Sequence, residues 1–347
     1  MMGRKIAVLF GGNSTEYGVS LQSAASVIQC INTEQYDLFL IGIDRETGQW
    51  YWYQGETEWI SEDCWKQKGV CLPVYPCTDK SLHGLCCMEK GRVNILSLDA
   101  AFPVLHGKNG EDGTVQGVLE LAGIPVIGCG LLSSALCMDK EAAHRIAAAE
   151  GIRTARSVTL KKGYSLQRAM EAAGMLGYPL FVKPVRSGSS FGIAKVSEEM
   201  GLHQAIENAF RHDSAVMLEE MIEGFEVGCA VLGTDTLFTG AVDEIELSDG
   251  FFDYTEKYTL KSSRIHVPAR IPAKKAEEIK RTALRLYRLL GCRCFARVDM
   301  FLTQSGEIYF NEVNTIPGFT AHSRFPNMLE AAGLSLEESV SRLLEME

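Results

Sequence analysis

The N-terminal third of the chain alternates strand-like and helix-like patterns, which restricts it to the α/β class. An apolar run at 6–10 ends at a glycine-rich turn, and apolar residues then recur at spacings of three and four over 24–31. Further apolar runs of strand length follow at 38–43, 101–105 and 125–127. Strands that are joined by helices in this way lie parallel in one sheet, so the pattern predicts a doubly wound parallel sheet.

Two further segments follow without a clean linker. The second begins near Met138 and carries a hairpin whose strands, at 179–183 and 193–196, flank a Ser/Gly loop. The third combines strands, a polar loop with aromatic residues, a helix at 273–290 and a last hairpin. Between the first strands and this region, the stretch 46–95 predicts only short strands and loops. The domains that we predict are 1–137, 138–212 and 213–347.

Composition excludes several classes of partner. The chain has 347 residues, and its net charge of -10, from 44 acids and 34 bases, disfavours a nucleic-acid partner and a basic membrane patch. No apolar stretch is long enough to span a bilayer, and the N-terminus lacks a signal pattern. Eleven cysteines show no zinc-type spacing, so reduced thiols in the cytoplasm are expected. Cys86, Cys87, Cys292 and Cys294 allow redox chemistry, but buried small hydrophobes are the commoner outcome.

Two apolar strands near the C-terminal end carry acids that converge on one point. Period-2 spacing places Glu312 and Asn314 on one face of their strand, and a turn around Ser305 and Gly306 lets Asp299 face them across a hairpin. Hard oxygen ligands in this arrangement suit Mg²⁺. In isolation such a pair more often forms a hairpin with solvated acids, and the features below favour the metal site.

Two turns follow strands of the first sheet, at the edge where open α/β sheets bind ligands. The turn at 11–20 fits neither the dinucleotide nor the Walker pattern, and its Glu16 is suited to an ammonium group or to plain solvation. The turn at 106–114 contains His106, which is either a proton carrier or positioning donor, or a loop residue that caps its own turn.

Two lysines lie where they can reach phosphates. Lys140 opens a helix, and Lys183 ends a strand directly before the Ser/Gly loop, whose Ser189 and backbone N–H groups would cover the site. Single lysines are usually solvated, but Lys183 follows an apolar run that should be buried. Further along, 219–222 offers an extended backbone for an adenine edge and Glu226 a carboxylate for a ribose, although an ordinary strand explains both equally well.

Two loops complete the candidate site. The polar loop that begins at 251 is long and aromatic, which is typical of a lid. The segment 317–324 directly follows the metal hairpin, and its glycine and hydroxyl groups are suited to an oxyanion or carboxylate pocket.

Seven motifs together resemble one family, in the order that the family has them. Over nearly its whole length the chain is similar to the D-alanine–D-alanine ligase family of ATP-grasp enzymes. This resemblance implies three domains: an N-terminal substrate-binding domain, and central and C-terminal ATP-grasp subdomains that hold ATP between them. The motifs are GGNSTEYGVS at 11–20, HGKNGEDGTVQG at 106–117, MDK at 138–140, KPVRSGSS at 183–190, DYTEKY at 253–258, RVDM at 297–300 and NEVNTIPGFTAHS at 311–323.

The resemblance implies a nucleotide and metal site. Lys140 and Lys183 would bind the phosphates of ATP, and Glu226 the ribose. Two Mg²⁺ ions are expected, with Mn²⁺ as an alternative. The implied metal ligands are Asp299, Glu312 and Asn314, and the residues along adenine are Glu219, Glu220, Met221 and Ile222.

The resemblance also implies a site for two amino acids. Glu16 resembles the residue that holds the ammonium of the first D-alanine, linked through Ser189 to Tyr258, and His106 would lie by the carboxylate. The remaining roles are stabilisation of the tetrahedral intermediate by Arg297 and Gly318, and positioning of the second substrate and phosphate by Ser323 and Lys257.

One position departs from the common pattern. Ligases that make the ordinary dipeptide usually carry an apolar residue after the His-Ser pair, whereas this chain has Arg324, as in the D-alanine–D-serine ligases of glycopeptide resistance, the VanG type most closely. A cation braced by Asp243 or Glu244 would accommodate a serine hydroxyl, while a methyl group would leave buried polar groups unpaired.

The implied function is an ATP-dependent ligase. It would join D-alanine to D-serine through a D-alanyl phosphate, for peptidoglycan precursors in glycopeptide resistance, as a cytoplasmic homodimer. One alternative is a D-alanine–D-alanine ligase of ordinary cell-wall synthesis. Another is a nucleotide-binding module without turnover, and the intact candidates at the metal, phosphate and intermediate positions argue against it.

Overall fold

A computed structural model describes residues 3–188, 191–247 and 263–346. Its first sheet has seven strands in the order β6-β5-β4-β3-β2-β1-β7. The strands are β1 (Arg4–Gly11), β2 (Tyr36–Ile43), β3 (Trp50–Gln54), β4 (Val70–Pro76), β5 (Gly84–Glu89), β6 (Arg92–Ser97) and β7 (Ala100–Pro103). The helices of this region are α1 (Tyr17–Cys30), α2 (Thr57–Ser61), α3 (Trp65–Lys68) and α4 (Thr114–Leu121).

The first sheet is parallel only in part, whereas the sequence predicted a doubly wound parallel sheet. Only β2, β1 and β7 are parallel, and β3 to β6 extend the sheet as an antiparallel meander. The links β2–β3, β4–β5 and β5–β6 are too short for a crossover helix, so those strands reverse direction, and the longer link from β3 to β4 carries only the short helices α2 and α3. The predicted strand at 125–127 forms only an isolated bridge between Val126 and Ala101.

Aromatic residues of the meander belong to the core. Tyr53 and Trp65 are fully buried, and Trp65 packs edge-on against Phe10 of β1 with ring centroids 5.2 Å apart. The stretch at 50–65 is therefore part of the packing of the first sheet. All eleven cysteines are free thiols.

The second sheet has four antiparallel strands in the order β10-β9-β11-β8. Because β11 pairs with both β8 and β9, the second domain extends through Glu220, later than the predicted boundary at 212, and we propose the division between Glu220 and Gly224. The strands are β8 (Ser157–Lys161), β9 (Leu180–Pro184), β10 (Ala194–Val196) and β11 (Ala215–Glu220). The helices are α5 (Leu131–Met138), α6 (Lys140–Ala149), α7 (Leu166–Leu176) and α8 (Leu202–Ala209).

The third sheet carries the predicted metal hairpin. Its order is β15-β14-β12-β16-β17, with β13 paired to β12, and Asp299 lies opposite Glu312 as predicted. The strands are β12 (Gly224–Leu232), β13 (Phe238–Thr239), β14 (Asp243–Leu247), β15 (Ser263–His266), β16 (Phe295–Thr303) and β17 (Ile308–Asn314). The helices are α9 (Ala273–Leu289), α10 (Arg324–Glu330) and α11 (Leu336–Glu345).

The first and last segments of the chain share one core. Phe10 and Phe102 of the first sheet belong to the same buried cluster as Phe319, Phe325 and Leu343. Arg4 also donates a hydrogen bond to the carbonyl of Leu344, at 2.7 Å. This packing holds the segment after β17 against the carboxyl ends of β1 and β7. Within the described ranges, no helix combines the length and the apolar character that crossing a membrane requires.

Candidate active site

A cavity of about 210 Å³ is lined by the turns that follow β1 and β7, by the Ser/Gly loop, and by strands of the third sheet and the segment that follows β17. It brings together residues that lie more than 300 positions apart in the chain. The predicted site residues on its wall are Glu16, His106, Lys140, Arg297, Glu312, Asn314, Gly318, Ser323 and Arg324. The predictions for Ser189, Lys257 and Tyr258 fall outside the described residues.

Glu16 reaches across the cavity from the turn between β1 and α1. Only 6% of the residue is exposed, and its Oε2 would lie 2.5 Å from a Cβ at Gly107 and 2.7 Å from one at Gly188. Both neighbouring loops therefore approach the carboxylate through glycine backbone. Ser14 ties two of these turns together, since its hydroxyl donates to the carbonyl of His106 at 2.7 Å. Glu16 thus lies against Gly188 of the Ser/Gly loop.

His106 is buried at the junction of the first and last segments, and its ring bonds to residues far away in the chain, so it does not cap its own turn. Its Nδ1 lies 2.9 Å from the carbonyl of Ile316, and its Nε2 lies 3.1 Å from Ser23 Oγ. Because a carbonyl only accepts, Nδ1 carries the hydrogen and Nε2 accepts from Ser23. Burial lowers the pKa of His106, and the charge of Glu16 opposes this shift. The imidazole is therefore a neutral, fixed wall of the cavity.

Glu111 also lines the cavity, although the sequence predicted no role for it. The sequence signal that could have pointed to Glu111 is its position in the same loop as His106, five residues further along. Its Oε2 accepts the N–H of Gly107 at 2.7 Å. Burial, together with the charge of Glu16, raises the pKa of Glu111 to about 8. This carboxyl group therefore holds a proton at neutral pH.

Lys140 and Lys183 occupy different positions around the cavity. Lys140 Nζ donates to the carbonyl of Ser187 at 2.8 Å and lies 3.3 Å from Glu312 Oε2, so it joins the Ser/Gly loop to the hairpin. Asp139 caps the helix that begins at Lys140, by accepting the N–H of Ala142. Lys183 is not on the cavity wall. Its Nζ pairs with Glu219 Oε1 at 2.5 Å, in a position where both side chains are buried.

The hairpin residues form a network of oxygens and arginines. Asp299 accepts from Arg297 Nε and Nη2, at 2.9 and 2.8 Å, and from Asn314 Nδ2 at 2.8 Å. Among the described residues, no three acidic, His or Cys side chains are already grouped as a metal site. The donor set nevertheless has the chemistry of a Mg²⁺ site, since two carboxylates and an amide lie on facing strand ends. The third proposed ligand, Asn314, is an amide and so does not belong to the acidic, His and Cys side chains considered above.

Arg324 is the centre of a buried charge cluster. Its Nε and Nη2 donate to the two oxygens of Asp243 at 2.6 and 2.8 Å, as the predicted brace requires. Its Nη1 donates to Glu226 at 2.5 Å and lies 3.4 Å from Asp299. Burial lowers the pKa of Arg324, but these three carboxylates outweigh burial and keep the guanidinium charged. The other predicted brace, Glu244, pairs with Arg270 instead, at 2.6 Å.

Gly228 makes room for this cluster, and sequence patterns alone did not point to it. A Cβ at this position would lie 2.5 Å from Arg324 Nη2, 2.8 Å from Asp243 Oδ1 and 2.9 Å from Asp299 Oδ1. Only a glycine on β12 lets the three side chains meet above the strand.

The predicted adenine and ribose residues lie away from the cavity. Glu220, Met221 and Ile222 line a separate open groove with Tyr309. The carboxylate of Glu220 is held by Arg156, whose Nε lies 2.6 Å from it. Glu226 contacts Arg324, as described above. Glu219 and Glu220, at the end of β11, and the two residues that follow them therefore lie outside the wall of the cavity.

Ser323 and Gly318 lie together at the end of the cavity. Ser323 Oγ lies 2.8 Å from Thr320 Oγ1 and accepts the N–H of Thr320 at 3.2 Å. These bonds form a tight turn, which is followed by Arg324 at the start of α10. Hydroxyl groups, backbone N–H groups and a guanidinium therefore meet in one short segment.

Family models and relatives define the class of the protein as an ATP-dependent ligase. Residues 5–129 match the model of the D-ala D-ala ligase N-terminus, and residues 146–345 match that of the D-ala D-ala ligase C-terminus. The chain belongs to the D-alanine–D-alanine ligase family and has its ATP-grasp fold. The predicted enzyme class and fold are thereby confirmed.

Three similar proteins extend this result. The crystal structure of the VanG D-Ala:D-Ser ligase from Enterococcus faecalis is 55% identical, covers 99% of both chains and superposes with a TM-score of 0.92. The vancomycin C-type resistance protein VanC2 of Enterococcus casseliflavus is 45% identical, over 98% of this chain and 97% of its own. A D-alanine–D-alanine ligase of Caldicellulosiruptor bescii is 42% identical, over 99% and 94%. The names of these relatives thus include both a D-Ala:D-Ser ligase and a D-alanine–D-alanine ligase.

Proposed function

We propose that this ligase joins D-alanine to D-serine with the hydrolysis of ATP, in the synthesis of peptidoglycan precursors that confer glycopeptide resistance. The observation that carries the proposal is the buried guanidinium of Arg324 on the cavity wall, held by Asp243. A guanidinium has five N–H donors. Three of those of Arg324 bond to Asp243 and Glu226, so one N–H on Nη1 and one on Nη2 take no part in these bonds. A ligand hydroxyl is a suitable acceptor for such a donor.

The similarity to the VanG D-Ala:D-Ser ligase supports the same second substrate. An apolar methyl group beside Arg324 would not satisfy a buried donor, and the cost of unpaired polar groups is the usual origin of such selectivity. A homodimer in the cytoplasm remains a prediction from the family resemblance.

The first half-reaction requires neutralisation of charge around the carboxylate of D-alanine. We assign the ammonium of D-alanine to Glu16, whose carboxylate faces the cavity between two glycines. The D-alanine carboxylate then attacks the γ-phosphate of ATP to give D-alanyl phosphate and ADP. Lys140, between the Ser/Gly loop and Glu312, supplies positive charge for the phosphates. Asp299, Glu312 and Asn314 are the proposed holders of Mg²⁺, whose bound form would supply further positive charge there.

The second half-reaction forms the amide. The amine of D-serine attacks the acyl carbon, and phosphate leaves. Arg297 Nη1 is free of the bonds that Nε and Nη2 make to Asp299, and together with the N–H of Gly318 it would stabilise the oxyanion. Arg324 and Ser323 would orient the incoming serine. The buried wall that Glu111 and His106 form would exclude water from the acyl phosphate.

Product analysis tests the proposal directly. Purified enzyme is incubated with ATP, Mg²⁺ and equal concentrations of D-alanine and D-serine. The dipeptide products are then separated, identified and quantified by mass spectrometry. D-alanyl-D-serine is expected as the major product. A mixture dominated by D-alanyl-D-alanine would instead assign the enzyme to ordinary cell-wall synthesis.

A further inference from the structure

Three cysteines meet at the wall of the cavity and have no part in the chemistry described so far. Cys129 precedes α5, Cys137 lies near the end of α5, and Cys292 lies in the turn between α9 and β16. The sulfur of Cys137 is 3.8 Å from that of Cys292. Cys129 contacts Cys292 as well, and its thiol donates to the carbonyls of Arg293 and Phe295, each at 3.6 Å. The cluster thus joins the segment around α5 to the start of β16.

The three thiols differ in their access to the cavity. Cys137 belongs to the cavity wall, whereas Cys129 and Cys292 lie behind it, and all three are buried. A hydrogen bond with Cys129 lowers the pKa of Cys292, but the hydrogen bond with Cys137 and burial outweigh it and raise this pKa well above its ordinary value. Cys292 is therefore a neutral thiol. A small reagent in the cavity contacts Cys137 first and has Cys292 directly behind that sulfur.

We propose that Cys137 and Cys292 form an oxidation site, at which a peroxide that enters the cavity converts the two thiols to a disulfide and thereby halts ligation. In the first step the sulfur of Cys137 attacks the O–O bond of hydrogen peroxide and becomes a sulfenic acid, and water leaves. In the second step the sulfur of Cys292 displaces the hydroxyl group, which leaves as water with the proton of the Cys292 thiol. Two thiols and one peroxide thus give one disulfide and two molecules of water.

The disulfide would act on ligation through Lys140. A sulfur–sulfur bond is shorter than the present contact, so its formation draws the end of α5 towards the turn before β16. Only two residues separate Cys137 from Lys140, whose Nζ bonds to the carbonyl of Ser187 and lies 3.3 Å from Glu312. A shift of α5 is therefore transmitted to Lys140. The effect on the rate rests on the proposed phosphate role of Lys140, whereas the cross-link itself does not.

Another pair of thiols provides a comparison within the same chain. Cys77, directly after β4, contacts Cys86 of β5. Neither residue lines the cavity. A bond between these two would be unrelated to the active site, so the proposal requires the bond at Cys137 and Cys292.

A peptide map of the oxidised wild-type enzyme tests the site. The full chain is treated with hydrogen peroxide, the remaining thiols are alkylated, and a tryptic digest is analysed by mass spectrometry without reduction. Trypsin separates residues 109–140, which include Cys137, from residues 289–293, which include Cys292, so the disulfide joins two peptides that are otherwise separate.

We expect this cross-linked pair of peptides together with a reversible loss of activity. Dipeptide synthesis should fall roughly tenfold or more, since a small displacement of a charged group costs this much, and dithiothreitol should restore it. Cross-linking of Cys77 and Cys86 alone would overturn the proposal. Full turnover by the enzyme cross-linked at Cys137 and Cys292 would also overturn it.

Two variants assign the bond to its sulfurs. Cys292→Ala removes the partner behind the wall, so turnover before oxidation should match the wild type. Peroxide should then oxidise Cys137 further, to a sulfinic acid that dithiothreitol does not reduce. Cys129→Ser is the matched control, because it removes the other thiol in contact with Cys292 and keeps a donor for the carbonyl of Arg293. It should cross-link as the wild type does, and a failure to do so would assign the bond to Cys129 and contradict the proposal.

An occupied cavity tests the route of the oxidant. D-alanine and a non-hydrolysable ATP analogue with Mg²⁺, all at saturation, should slow the cross-linking of wild-type enzyme several-fold. An unchanged rate would show that the oxidant does not enter through the cavity, and the proposal would fail. A wild-type enzyme that makes no dipeptide before oxidation would instead overturn the proposed function, and the peptide map would still decide the thiol site.

Discussion

At the scale of single residues, Arg324 shows how a buried side chain can remain charged. A buried charge is tolerated when its partners are also charged and well placed. Asp243 binds two of its nitrogens, and Glu226 binds a third. The carboxylates therefore fix the position of the guanidinium, and removing one of them would leave a buried charge without its partner.

Arg324→Leu should shift the second substrate from D-serine towards D-alanine. The substitution removes a donor for the hydroxyl and leaves an apolar wall for a methyl group. A hydrogen bond to a charged group is worth roughly 1.5 to 3 kcal/mol, or about tenfold to a hundredfold in relative specificity. The measurement is the ratio of kcat/KM for D-serine to that for D-alanine, at a single pH.

A matched control accompanies this variant. Arg270→Leu also removes an arginine that pairs with a carboxylate of β14, but Arg270 does not line the cavity. It should leave the ratio unchanged. If Arg324→Leu leaves the ratio as it is in the wild type, D-serine selectivity does not come from this residue.

Glu111 gives a pH dependence of known sign. Its pKa is raised from about 4.5 to about 8 in the folded protein, so between these values the folded form binds more protons than the unfolded form. Glu111 therefore lowers the free energy of unfolding, and so destabilises the folded protein, as pH rises through this window. Glu111→Gln, which can still accept from Gly107, should raise Tm more at pH 8.5 than at pH 5. Equal changes in Tm at the two pH values would contradict the shift.

At the scale of secondary structure elements, local patterns predicted some features and missed others. The β16–β17 hairpin followed from period-2 spacing and a glycine turn, and the structure places Asp299 opposite Glu312 as expected. The antiparallel meander did not follow, because short apolar runs do not specify the direction of pairing. The membership of β11 in the second sheet was also missed, because a short apolar run does not specify which distant strands it pairs with.

The hairpin itself can be tested as a metal-binding element. Glu312→Gln should reduce phosphate release to a small fraction of the wild-type rate and weaken Mg²⁺-nucleotide binding, because Mg²⁺ prefers anionic oxygen ligands. Glu307→Gln is the matched control, since Glu307 lies in the turn of the hairpin, pairs with Arg153 at 3.2 Å and is absent from the cavity wall. Turnover by Glu312→Gln near the wild-type rate would make the hairpin structural.

The Ser/Gly loop can be tested through its glycine. In Gly188→Ala, the new Cβ would lie 2.7 Å from Glu16 Oε2, and the flexible end of that side chain can move away at little cost. Tm should therefore stay within about 2 °C of the wild type, while KM for the first D-alanine rises by about tenfold. Gly174→Ala, where a Cβ has nothing within 4 Å, should leave KM unchanged. A normal KM for Gly188→Ala would remove Glu16 from the substrate site.

At the scale of the whole molecule, the cavity lies where the turns after β1 and β7, the Ser/Gly loop after β9 and the third sheet meet. The motifs at 11–20, 106–117 and 311–323 could be assigned to one site from the family resemblance, and the structure brings their residues to one cavity. The pairing of His106 with Ile316 and of Ser23 with Phe319 could not be predicted, because those contacts join residues more than 200 positions apart.

The joining of the first and last segments has a consequence for the order in which the protein can fold during synthesis. β1 and α1 emerge from the ribosome early, but their buried cluster includes Phe319, Phe325 and Leu343. A nascent chain that stops before residue 316 therefore leaves the C-terminal side of this buried cluster uncovered and lacks the partner of His106. The first domain to be made is thus among the last to be completed.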